Sequence, residues 1–143
     1  MHRRSFIAAA GVAAAAACLP LVAGAQDTSK KTRVVVQVSE ADPARWNLAL
    51  NNVRNLQEDL GADKVTVEVV AYGPGIGMLK MDSAVGLRIS EALKSGVKVS
   101  ACENTMRGQK LTRADMLPNV SYVPAGVVEI IQRQQDGWAY LRP

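Results

Sequence analysis

The chain has 143 residues, 48% of them hydrophobic and only 4% aromatic, with 17 Lys and Arg against 13 Asp and Glu. No run of basic residues stands out, so neither a nucleic-acid footprint nor a polybasic membrane surface is expected. The one histidine is His2 and the cysteines are Cys18 and Cys102, which leaves residues 26–143 unable to build a Ser-His-Asp or Cys-His pair, an ordinary zinc site, an internal disulfide or a C-x-x-C pair.

Arg3 and Arg4 precede an uncharged, Ala-rich stretch over residues 5–17, followed by Pro20 and Ala23-Gly24-Ala25. The pattern reads as a cleaved signal over residues 1–25, with processing after Ala25. The apolar stretch is too short and too Ala-rich for a comfortable bilayer span, so no stable membrane anchor is expected. Ala15-Ala16-Ala17 before Cys18 lacks the large aliphatic residue of a lipoprotein signal. Arg3-Arg4-Ser5-Phe6-Ile7 resembles a twin-arginine export signal, although a basic pair before an apolar run also serves general secretion. The expected location is periplasmic or otherwise exported, and residues 26–143 form one domain. Without Arg3 and Arg4 its charge is close to balanced.

After a polar stretch, residues 33–38 (RVVVQV) read as a β-branched strand of the kind covered on both faces. Asp42 and Pro43 start a helix as N-cap and first helical residue. Trp46, Ala49, Leu50, Val53, Leu56 and Leu60 form its apolar stripe, and Gly61 stops it. Residues 64–72 (KVTVEVVAY) are a second strand, broken by a glycine-rich loop over residues 73–77. That loop matches neither a Walker sequence nor the dinucleotide fingerprint. It reads as a tight packed turn, or as an anion-approach loop. A second helix is expected over residues 82–93, a third strand over 97–101, and Cys102 just beyond it. Asn104 is a candidate cap for a short helix to residue 109. Thr112 with Asp115 reads as a capping box. A fourth strand is expected over residues 120–123, a helix carrying Val127, Ile130 and Ile131 over 125–134, and a last strand over 138–141.

This alternation predicts a three-layer α/β fold with a mostly parallel, five-stranded sheet. The strand order is not readable. In open α/β sheets sites gather beyond the carboxyl ends of the strands, which is where Tyr72 to Gly77 and Cys102 to Met106 fall. Cys102 is either a reactive thiol or an inert packed one. A helix start at Asn104 favours the thiolate; Arg107 and Lys110 add positive charge, and Glu103 opposes it.

Four segments carry a family resemblance: Tyr72-Gly73-Pro74-Gly75-Ile76, Ala101-Cys102-Glu103-Asn104-Thr105-Met106, Val123-Pro124-Ala125-Gly126-Val127, and Gly137-Trp138-Ala139-Tyr140-Leu141-Arg142-Pro143. Together they resemble the DsrE/DsrF-like family, in its exported single-domain branch. The resemblance implies an α/β/α sandwich that assembles into homo-oligomers, often trimers or hexamers. It also implies a sulfur-handling role in which Cys102 holds sulfane sulfur as a persulfide and exchanges it with a thiol or persulfide protein partner. On that reading Tyr72, Gly73, Pro74 and Gly75 shape access, Asn104, Thr105, Met106 and Arg107 flank the sulfur, and no cofactor or metal is called for. Two other readings stay open: a non-catalytic oligomeric binding or assembly module in which Cys102 merely packs, and a thiol sensor that stops at sulfenate or a mixed disulfide. A carrier thiol is expected to be solvent-reachable with a depressed pKa; a packed one need not be.

Overall fold

A computed structural model describes residues 30–143; the expected signal over residues 1–25 lies outside them. Five strands, β1 (Thr32–Val38), β2 (Val65–Ala71), β3 (Lys98–Cys102), β4 (Ser121–Val123) and β5 (Ala139–Leu141), form one sheet of order β4-β3-β2-β1-β5, and every pairing is parallel. Four α-helices connect them: α1 (Pro43–Leu60), α2 (Gly86–Lys94), α3 (Glu103–Gly108) and α4 (Gly126–Gln135). Short 3-10 helices occupy Gly73–Leu79 and Arg113–Asp115.

The order explains the layers. From β1 to β4 the chain steps steadily in one direction across the sheet. The link from β4 to β5 returns past β3, β2 and β1. A right-handed connection made in the reverse direction puts its helix on the opposite face, and α4 lies there. On the first face, Val34, Val36 and Val38 of β1 join Val67, Val69, Val99 and Ala101 of the neighbouring strands. They pack against Trp46, Ala49, Leu50 and Val53 of α1 and Ile89 of α2. Residues two apart in a strand share a face, so Val35 and Val70 point the other way, where only Ile130 of α4 is buried against them, flanked by partly buried Tyr72 and Trp138.

The ends of α1 match expectation. Asp42 Oδ1 accepts from the Ala44 N–H at 2.9 Å, and Gly61 closes the helix at φ 93°. Leu60, last of the expected stripe, is exposed because it lies in the final turn. The Thr112–Asp115 box also forms, the Thr112 N–H and hydroxyl both donating to Asp115 Oδ2 at 2.7 and 3.0 Å.

Three local expectations are corrected. Residues 73–77, expected as a loop making a tight packed turn, are the start of a 3-10 helix, turned by the Gly75 N–H bonding to the Tyr72 carbonyl at 3.0 Å. The second helix starts at Gly86 rather than near residue 82. The preceding residues are held in consecutive turns, with the Ser83 N–H bonded to the Lys80 carbonyl and the Gly86 N–H to that of Ser83. Asn104 does not cap α3; it lies inside the helix and Cys102 takes the N-cap position.

Candidate functional site

Cys102 ends β3, opposite Val123 of β4. It stands at the carboxyl edge of the sheet, away from the β1–β5 boundary where the strand order reverses. Its Sγ accepts a hydrogen bond from the Gly126 N–H at 3.2 Å. Gly126 is the first residue of α4, and Ala125 before it offers no capping side chain. The sulfur therefore fills the place that a Ser or Asp oxygen usually takes at a helix N-terminus. Glycine is required at this contact, since a Cβ on Gly126 would stand 2.9 Å from Tyr72 Cβ and 3.3 Å from Cys102 Cβ.

Burial of Cys102 pushes its thiol pKa up. Hydrogen bonds outweigh that effect and leave the pKa below its ordinary value: one from the Thr105 side chain, the others from the backbone N–H groups of Gly126, Thr105 and Asn104. The groups acting on the sulfur are thus dipoles, gathered at the starts of α3 and α4. They favour a thiolate because each presents its positive end to the charge.

The two expected segments do converge. The Gly73 N–H donates to Thr105 Oγ1 at 2.8 Å, and the Gln109 side chain donates to the Gly73 carbonyl at 3.3 Å. Thr105 thus ties the 3-10 helix to the thiol. Tyr72, half-buried, packs beside Gly126 and Cys102. The remaining expected residues divide. Pro74 is exposed at the rim. Gly75 is buried against the end of β1, and Met106 belongs to the main core. Asn104 shares its N–H between the thiol, on which it is the weakest of the four donors, and the Pro124 carbonyl at 3.2 Å.

Arg107 and Lys110 supply no charge to the thiol. Arg107 is exposed and bonds to Asn104 Oδ1, while Lys110 is exposed past the end of α3. Glu103 turns outward to Arg113 at 3.7 Å. The expected open thiol is also corrected: Cys102 is 4% exposed. The cover is thin, for Asn104 and Pro124 are both exposed and Tyr72, Gly73, Thr105 and Ala125 are only half-buried.

Sequence reasoning missed Gly126 as a site residue, although a glycine opening a helix after a strand, with no Ser, Thr, Asp or Asn to cap it, is a legible signal. It also missed Glu68. This carboxylate is fully buried on the α4 face of the sheet, taking a hydrogen bond from Ser100 Oγ at 2.7 Å and ion pairs from Arg133 Nε at 2.6 Å and Lys98 Nζ at 3.4 Å. Burial raises its pKa, but Ser100, Lys98 and Arg133 outweigh burial and hold it below the ordinary value. Glu129, which pairs with Arg133 at 2.9 Å, is pushed up by burial and by the nearby Glu68 charge. Among the described residues no group of His, Cys, Asp and Glu has the makings of a metal site, and no helix is long and apolar enough to cross a membrane.

A profile of the DsrE/DsrF-like family matches residues 30–143. No curated protein matches the sequence. Among solved structures, the chain is similar to the protein of unknown function MTH1491 from Methanobacterium thermoautotrophicum, at 42% identity and a TM-score of 0.76, over 79% of this chain and 100% of that one. The conserved protein of unknown function BT1422 from Bacteroides thetaiotaomicron (12% identity, TM-score 0.64, 78% and 94% of the two chains) shares the fold. So does the ychN protein from E. coli (12%, 0.60, 80% and 99%).

Proposed function

This chain belongs to the DsrE/DsrF-like family, and on that premise we propose that it handles sulfane sulfur through Cys102. The observation that carries the reading is the Gly126 N–H held 3.2 Å from Cys102 Sγ at the uncapped start of α4. A packed thiol needs no such donor, whereas a thiolate or persulfide anion is stabilised by it.

In the proposed cycle the Cys102 thiolate attacks the terminal sulfane sulfur of a persulfide or polysulfide. The S–S bond to that atom breaks as a new one forms at Sγ, and the donor leaves as a thiolate one sulfur shorter. The sulfur keeps its oxidation state, so no external oxidant or reductant enters. An acceptor thiolate then attacks the outer sulfur and releases Cys102 as thiolate. No general base is needed when the thiol is already ionised. The 3-10 helix and Tyr72 form the cover that a donor must pass.

The burial of Cys102 favours a second reading, a binding or assembly module with an inert thiol. Intact-mass measurement before and after a polysulfide donor separates the two. The carrier gains the mass of sulfur on Cys102, loses it to an added thiol, and loses the whole response in Cys102→Ser. A mass that never changes sinks the carrier reading in favour of the module. Stable oxygen adducts without onward sulfur transfer would mark a sensor.

The same spectrum tests export, which we propose from the composition of residues 1–25. Exported protein should begin at Gln26; a chain that still begins at Met1, or at a lipidated Cys18, contradicts it. Homo-oligomerisation is proposed as well. Val127, Val128 and Ile131 are each about half exposed, a side chain's reach from the sulfur end of α4. Light scattering should give a trimer or hexamer mass, and a concentration-independent monomer rejects the assembly.

A further inference from the structure

We propose that Glu68 is a positioning residue for Cys102: through Arg133 it seats α4, and the seat of α4 sets the ionisation of the thiol. The inference rests on Cys102 being the reactive group of the preceding reading. Little else holds α4. Of its residues only Gly126 and Ile130 are buried, Gly126 beside Tyr72 and Cys102 and Ile130 against Val35 and Val70 of the sheet.

Gly126, Ile130 and Arg133 are spaced four and three residues apart, which puts them on one helix face. Each makes a separate contact. Gly126 donates to Cys102 Sγ at 3.2 Å. Ile130 fills the small apolar cluster. Arg133 reaches Glu68 Oε2 at 2.6 Å, bonds Glu129 at 2.9 Å and lies over the Trp138 ring at 4.6 Å. The helix is therefore seated at two ends with Ile130 between them, the ends separated by about two turns, or roughly 10 Å. Loosening the Arg133 end lets the helix pivot on Ile130, and the Gly126 N–H moves with it.

A carboxylate in the middle of VTVEVVA is a costly choice for a strand that is otherwise apolar. A buried charge fixes geometry more narrowly than an aliphatic pair, because its partners must meet it at hydrogen-bond distance. Ser100 Oγ and Lys98 Nζ hold the carboxylate from β3, the strand that ends in Cys102. Both partners of the Gly126–Cys102 contact are thus registered against the same carboxylate.

The sign of the effect separates this role from a simple electrostatic one. Removing a negative charge near a thiol lowers its pKa through the field alone. Removing the helix seat raises it, because the Gly126 donor is displaced. The test follows thiolate ultraviolet absorbance against pH on the full chain carrying Cys18→Ser, which reads Cys102 whether or not reagents reach it. Glu68→Gln should move the midpoint upward by about one unit, the size of one lost charge-assisted hydrogen bond. Arg133→Lys preserves the charge and removes only the forked geometry, and it should move the midpoint upward by a smaller amount. A midpoint that falls or stays fixed in Glu68→Gln overturns the proposal. Should that variant not fold, an unchanged midpoint in Arg133→Lys overturns it instead. Sulfur uptake is scored separately on the unsubstituted protein, so a chain that takes up no sulfur refutes the carrier reading and leaves the titration result to stand or fall alone.

Discussion

Gly75→Ala should cost about 3 kcal/mol of folding free energy, at the upper end for overpacking, and it should disturb the thiol in passing. A Cβ at this position would stand 2.3 Å from the Val38 carbonyl oxygen, 2.7 Å from its carbon and 2.9 Å from Ser39 Cα. All three are backbone atoms of the β1 end, so no side chain can swing aside. The 3-10 helix must lift instead. Two residues earlier the Gly73 N–H donates to Thr105 Oγ1, and the same lift pulls on the hydroxyl that bonds Cys102. Urea unfolding measures the loss. Gly108→Ala, where nothing lies within 4 Å of a new Cβ, serves as the control and should leave the midpoint unchanged or slightly raised. Equal midpoints for Gly75→Ala and the parent would show that the approach of the 3-10 helix to β1 is looser than described.

The second large effect is expected at Glu68. Glu68→Ala leaves the partly buried Arg133 guanidinium without its main partner, and breaking a buried pair in this way costs several kcal/mol. Arg133 retains Glu129, and Lys98 is exposed enough to turn to water, so the low end, about 3 kcal/mol, applies. The loss should depend on pH. The pKa of Glu68 is lower in the folded chain than in the unfolded one. Its contribution is therefore fully present above the ordinary carboxyl pKa and disappears as the pH falls through the folded value. Glu129 works in the opposite direction: with its pKa raised, its contribution is full in acid and is lost as the pH rises through the folded value. Measured in a Glu129→Gln background, which removes the opposing group, urea midpoints should thus fall from neutral pH into acid, and fall less once Glu68→Ala is added. Parallel curves would contradict the assignment of the acid response to Glu68.

The alternation of elements was legible because each carries its own period or punctuation. RVVVQV is β-branched, α1 repeats at three and four, and Asp42-Pro43 and Gly61 mark its ends. Strand order was not legible, because a parallel strand carries no mark of its neighbour; only the return of the chain over α4 fixes β5 beside β1. Cys102 and the Tyr72–Gly73 segment could be placed at one edge from their positions after strands. The polarising groups could not. Arg107 is near Cys102 in sequence, but it lies on the solvent side of α3 and bonds Asn104. Gly126 is remote in sequence and touches the sulfur. The charge in VTVEVVA drew no reading from the sequence, because its partners Lys98 and Arg133 come from two other elements. Val127 and Ile131 look like core residues in a list of apolar positions; in the folded chain Ile130 alone among them turns inward.

The unequal filling of the two sheet faces bears on how a covered sulfur meets its reagents. One face is sealed by α1, α2 and the first 3-10 helix; the other has Val35, Val70 and Ile130 at its centre. Structures with such an imbalance open in parts, and the thinly anchored part opens most often. Here that part is α4 with β5, the end of the chain, and its departure leaves the β1–β2–β3 ladder intact. Amide hydrogens of α4 should accordingly exchange with solvent deuterium faster than those of β1 to β3. Each such opening uncovers Cys102 and withdraws the Gly126 donor together. On the carrier reading, the frequency of that excursion, rather than the small area exposed at rest, sets how often a donor could reach the sulfur, and the closing helix returns the Gly126 N–H to Cys102 Sγ.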